Sequence, residues 1–166
     1  MTTSRKTLFL LFALILFVFS AVGQANHINI RQMVLEKGII DSVFVFGKWT
    51  EKSQTETQLK YLGKVTTKTG QTFKIMNSIW LWGLSERAIS RILIFNLKNQ
   101  YVGNYYLTVT GQLPTSLRNG KLIFTNLNND CDKEIITAIN LNNGLPKQFF
   151  RKCSEKLGDT FSFESD

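Results

Sequence analysis

Leu59 to Trp82, LKYLGKVTTKTGQTFKIMNSIWLW, holds two runs of alternating character joined through Lys68-Thr69-Gly70-Gln71. A period of two belongs to strands, and Gly70 can supply the positive φ that a tight turn wants. Leu59–Thr67 and Thr72–Trp82 are therefore expected to form an antiparallel hairpin. Working outward, Arg91–Asn96 and Tyr101–Thr110 repeat the arrangement across Leu97-Lys98-Asn99-Gln100, and two hairpins in succession suggest a meander. Further strands are expected at Ser42–Trp49, Lys121–Asn126, Glu134–Leu141 and Asp159–Glu164, with Asn119-Gly120 marking another turn. Thr50–Gln58, TEKSQTETQ, reads as a surface loop, Gly83–Ser90 as a short turn of helix, and Ile28–Lys37 fits either a strand or a helix.

Pro146–Leu157 reads as a helix. Proline suits the first helical position, Gly158 stops the run, and Phe149, Cys153 and Leu157 fall four apart on one face. The expected fold is thus mainly β: an antiparallel sandwich or partly closed barrel of about seven to nine strands with one short C-terminal helix. Along Phe73–Trp82 the odd positions, Phe73, Ile75, Asn77, Ile79 and Leu81, form the core face, leaving Trp80 and Trp82 on the other. Along Tyr101–Thr110 the inward set is Tyr101, Tyr105, Leu107 and Val109, with Tyr106 opposite. Ser42–Trp49 is apolar on both faces, as expected of a central strand covered on two sides.

Residues 1–23 carry the pattern of a secretory signal peptide. Ser4-Arg5-Lys6 leads into an uncharged apolar run, Thr7–Val22, and small residues at Ala21 and Gly23 precede a cleavage before Gln24. The apolar run is 16 residues, short of the ~20 that a bilayer-spanning helix needs, which disfavours a retained anchor. Residues 24–166 are then expected to be one β-rich domain in a secreted or periplasmic product, with no stable membrane insertion after cleavage. In an oxidising compartment Cys131 and Cys153 most simply form one disulfide, contributing about 3.4 kcal/mol by loop-closure entropy. The basic excess is spread along the chain from Lys37 to Lys156, with no polybasic run, so nucleic acid is not an expected partner.

For chemistry the inventory is thin. The one histidine, His27, lies near the expected new N-terminus, and no GxSxG, HExxH, P-loop or dinucleotide-binding pattern occurs. No cofactor or metal site is expected. Carboxylate pairs such as Asp130 with Asp132, or Asp41 with Glu51, keep a carboxylate-based hydrolase as a distant third reading. The expected role is a non-enzymatic binding module for a protein or glycan outside the cytoplasm, and the alternative is a carrier with a barrel cavity for an apolar or glycan ligand. Trp80, Trp82, Arg87 and Arg91 are the candidate binding residues, since tryptophan beside arginine is common at binding hot spots.

Overall fold

The structure is a computed structural model that describes residues 30–127 and 130–165. The expected signal peptide and His27 lie outside the described residues. The chain divides into two compact units, Met1–Met33 and Val34–Asp166. Of the first, only residues 30–33 are described, as the opening of a helix, α1, over 30–37. Within the stretch that fitted strand or helix, the described residues 30–37 are thus helical, and Gly38, at φ 62, ends the helix with its amide on the Val34 carbonyl.

Among the described residues the second unit holds ten strands. Five make the expected meander: β1 (Val43–Gly47), β2 (Thr55–Thr66), β3 (Thr72–Trp82), β4 (Arg87–Asn96) and β5 (Tyr101–Leu107). The chain then passes a short 3-10 turn, Thr110–Gln112, and builds a separate three-stranded sheet from β6 (Ser116–Arg118), β7 (Lys121–Thr125) and β8 (Ile136–Asn140). It returns through β9 (Gln148–Lys152) and β10 (Gly158–Ser165). β10 pairs antiparallel with β5, so the large sheet runs β1-β2-β3-β4-β5-β10-β9. The result is a sandwich-like pair of antiparallel sheets without barrel closure.

The core lies where the sheets meet. Phe73, Ile75, Ile92, Ile94, Tyr105 and Leu107 face Leu122 and Phe124 of the small sheet, and Phe149 and Phe161 close the far side. The odd positions of β3 therefore point inward, as the alternation predicts. Each fully buried isoleucine or leucine here contributes ~1.5–3 kcal/mol over an exposed one. The opposite face of the large sheet also has a dry centre, with Leu59, Met76 and Leu93 wholly buried. A β-bulge between Tyr61 and Gly63 lets Tyr61 and Leu62 both be buried, one on each face.

Five expectations are corrected. Pro146–Leu157 is not a helix: Gln148–Lys152 is β9, hairpinned to β10 with Phe149 opposite Phe161. Alternation decides it, because a strand buries Phe149 and Arg151 together and exposes Phe150. The strand count is ten, since β6 and β9 add to the expected set. Ser42–Trp49 is not a central strand: β1 is an edge, and Val43 and Val45 lie more than half exposed. Nor is Gly83–Ser90 helical. Gly83 at φ 72 and Glu86 at φ 48 make a tight turn, and β4 begins at Arg87. The loop expected over Thr50–Gln58 likewise gives way to β2 from Thr55.

Gly103 is demanded by the sheet. At Gly103 (φ 155) an added Cβ would overlap the Glu164 carbonyl oxygen and the Phe163 ring of β10. The β5–β10 junction closes only because that side chain is missing.

Candidate functional site

Register brings the four sequence candidates together. On β3 and β4, Trp82 lies opposite Arg87, Trp80 opposite Ile89, and Ser78 opposite Arg91, all on the outer face of the large sheet. β5 extends the row, with Arg91 directly opposite Tyr106. The resulting band holds Trp80, Trp82, Arg87, Arg91 and Tyr106, bordered on β2 by Thr55 and Thr57.

Within the band the rings are ordered. The Trp80 and Trp82 indoles stack with centroids 5.8 Å apart and planes 22° apart. The Arg87 guanidinium lies 5.7 Å from the Trp82 ring centre, and that of Arg91 lies 5.8 Å from the Tyr106 ring centre. A guanidinium over an aromatic face is held electrostatically while its edge donors stay available. Among the described residues neither arginine is ion-paired. Trp80 is 37% exposed and Tyr106 44%, so these rings present area to solvent instead of filling a core.

The two indole N–H groups have different fates. Trp80 Nε1 donates to Thr55 Oγ1 at 2.9 Å, which fixes its ring on β2. Trp82 Nε1 is buried with no partner among the described residues, a donor that has lost water without gaining an acceptor. A third tryptophan braces the end of the band: Trp49 Nε1 donates to the Gly83 carbonyl at 2.9 Å, and its amide donates to the Glu56 carboxylate at 3.1 Å. A hydrogen bond from the Gln58 side chain, and then that from the Trp49 amide, hold the Glu56 carboxyl below its ordinary pKa. Tyr106 was the member missed in the sequence. Alternation alone put it on the outer face, and pairing the β4–β5 hairpin residue by residue would have set it against Arg91.

A second feature lies on the inner face, near the β1 edge. Val43, Leu59, Lys60, Asn77, Ile79 and Leu113 border a cavity of about 80 Å³. Asn77 Nδ2 donates to the Pro114 carbonyl at 2.7 Å, which fixes the amide's orientation and leaves Oδ1 buried without a partner. Lys60 caps the region, with its ammonium 3.1 Å from the Asp41 carboxylate and donating to the Thr115 carbonyl.

The remaining sequence candidates fall out as follows. Cys131 and Cys153 form the expected disulfide, tying the segment before β8 to the end of β9. Asp130 and Asp132 flank it in a turn where Asp132 accepts the Glu134 amide, so Asp132 shapes the loop. Asp41 is engaged by Lys60, beside the start of β1, while Glu51 lies in the loop beyond the strand's other end. Among the described residues no cluster of three or more metal-ligating side chains occurs, and no helix is long and apolar enough to cross a membrane. No protein-family model matches the chain, and no curated protein and no solved structure matches it.

Proposed function

We propose that the chain is a non-enzymatic binding module that works outside the cytoplasm and engages a protein or glycan through the outer-face band. The observation that carries the reading is the stacked Trp80–Trp82 pair with Arg87 laid over it, partly open to solvent and backed by a rigid sheet. Such a surface offers flat apolar area at little entropic cost and two guanidinium forks free of ion pairs among the described residues. An incoming carbonyl, hydroxyl or carboxylate would complete it. The disulfide fits an oxidising compartment, in line with the secretory pattern of the first 23 residues. The cavity beside Asn77, at about 80 Å³, is far below the ~300–1,000 Å³ of a drug-sized pocket, so the band and not the interior carries the reading.

The test is affinity capture from cell envelope and medium with the oxidised chain, run beside a Trp80→Ala/Trp82→Ala variant shown to be folded. A macromolecule retained by the wild type and lost by the variant supports the band, with loss of each hot-spot ring expected to cost about 2 kcal/mol, or roughly 30-fold in affinity. Equal retention by both removes the band from the reading.

A further inference from the structure

Along the sequence the cations are scattered, but the fold does not leave them so. The β2–β3 turn carries Lys68, and just below it Lys64 and Lys74 are directly opposed cross-strand partners. The β4–β5 turn carries Lys98, and its Asn99 accepts a hydrogen bond from Lys74 Nζ. Arg118 and Lys121 flank the β6–β7 turn, and Lys147 lies in the loop after β8. Backbone hydrogen bonds knit these segments into one pole of the sandwich. The Lys68 amide donates to the Asn142 carbonyl at 2.7 Å, the Leu141 amide to Gly120 at 2.8 Å, and the Phe163 amide to Lys147 at 2.8 Å.

Among the described residues, the turns and strand ends that build this pole carry one carboxylate, Glu164. Six of its seven cations are exposed and Lys74 is half-buried; among the described residues none of them is ion-paired. At the other end of the large sheet, by contrast, Lys48, Lys52 and Arg87 are interleaved with Glu51 and Glu86. The facing of Lys64 by Lys74 is the second observation. Like charges directly opposite on neighbouring strands destabilise a sheet, and no acidic side chain lies between them. That repulsion becomes attraction once an anion bridges the pair.

We propose that this pole binds a linear anionic polysaccharide, one bearing carboxylate or phosphate groups along its length. The cations stand on four separate turns, which suits an extended polymer better than a single small anion. Between them lie amide and hydroxyl side chains, Thr66, Thr69, Gln100, Asn119 and Asn143, able to hydrogen-bond sugar hydroxyls. Two other polyanions fit less well. Among the described residues no aromatic ring is laid open at the pole to stack a nucleobase: Phe73 and Phe95 are buried, and Tyr101, half-buried, is held edge-on against Phe95 with centroids 5.8 Å apart. Its one strongly exposed apolar side chain, Leu97, is too little to anchor in a bilayer. The pole is distinct from the tryptophan band.

The experiment titrates the full oxidised chain with polygalacturonate and, separately, with a phosphomannan, at low and high ionic strength. Binding to at least one, weakened about tenfold or more by high salt, is expected. A Lys64→Gln/Lys74→Gln/Lys98→Gln/Lys121→Gln variant should lose about tenfold or more in affinity. It should melt no lower than the wild type, because an unfavourable pair has been relieved. A Lys48→Gln/Lys52→Gln variant, at the opposite end of the large sheet, should bind both polymers as the wild type does. The proposal is overturned if neither polymer binds, or if the four-lysine variant binds undiminished. It is equally overturned if phosphatidylglycerol/phosphatidylcholine vesicles or a single-stranded oligonucleotide bind more tightly than either polysaccharide.

Discussion

Arg151 shows what a single side chain can cost and secure in this fold. It is 3% exposed, and burial pushes its guanidinium below its ordinary pKa while Asp159 pulls back the other way. Its charge is met by Asn126 Oδ1 at 2.6 Å and more weakly by the Gly111 carbonyl at 3.3 Å. Asn126 in turn donates through Nδ2 to the Asp132 carbonyl at 2.8 Å and to the Cys153 carbonyl at 3.2 Å, so one amide links the buried cation to both sides of the disulfide. Removing one partner of a buried charge is worse than removing the charge. Asn126→Ala is expected to cost about 2–3 kcal/mol, and Arg151→Met distinctly less, when both are measured by denaturant unfolding of the oxidised protein. The reverse ranking would mean that the guanidinium is not held by Asn126. None of this network could be read beforehand, because an arginine in a strand is ordinarily a surface residue and its partner lies 25 positions away.

At the scale of elements, the strands legible in the sequence were those whose alternation is unbroken. Thr72–Trp82 is recovered to the residue, with Phe73 and Ile75 inward and Trp80 outward, because period two and the Gly70 turn both point the same way. Gln148–Lys152 was misread because two signals competed. Pro146 and Gly158 bracket a stretch of helical length, and Phe149, Cys153 and Leu157 recur every four residues. Five residues are too few for period two to outvote that, and the register with β10 is a long-range fact. The two readings part at Leu157, which the helix would bury and which is 68% exposed in the hairpin turn. Phe149→Ala should therefore cost about 3–5 kcal/mol, whereas Leu157→Ala should change stability by about 0.5 kcal/mol or less, as judged by thermal unfolding. The band on β3 and β4 was legible as residue types, but its alignment needed pairing across three strands. The basic pole was not legible, since turns 80 positions apart carry it.

The molecule as a whole stakes its core on tyrosines as well as aliphatic groups. Burial raises the Tyr105 and Tyr61 hydroxyls above their ordinary pKa, and Tyr105 donates to the Pro146 carbonyl at 2.7 Å. A group whose folded pKa is raised contributes stability that is fully present below its unfolded value, ~10 for tyrosine, and is lost as pH rises above it. The denaturant midpoint is accordingly expected to fall as pH climbs beyond about 10. A Tyr61→Phe/Tyr105→Phe variant should show a flatter alkaline limb, and an identical limb would assign the loss to other groups. A further consequence follows from the position of β10 beside β5. Roughly fifty residues, including the whole of the small sheet, are synthesised between the two strands, so β5 waits without its second neighbour until β10, the last of the ten in chain order, has emerged. Until that strand is out, the nascent polypeptide has no bridge between β5 and β9, and its large sheet cannot set.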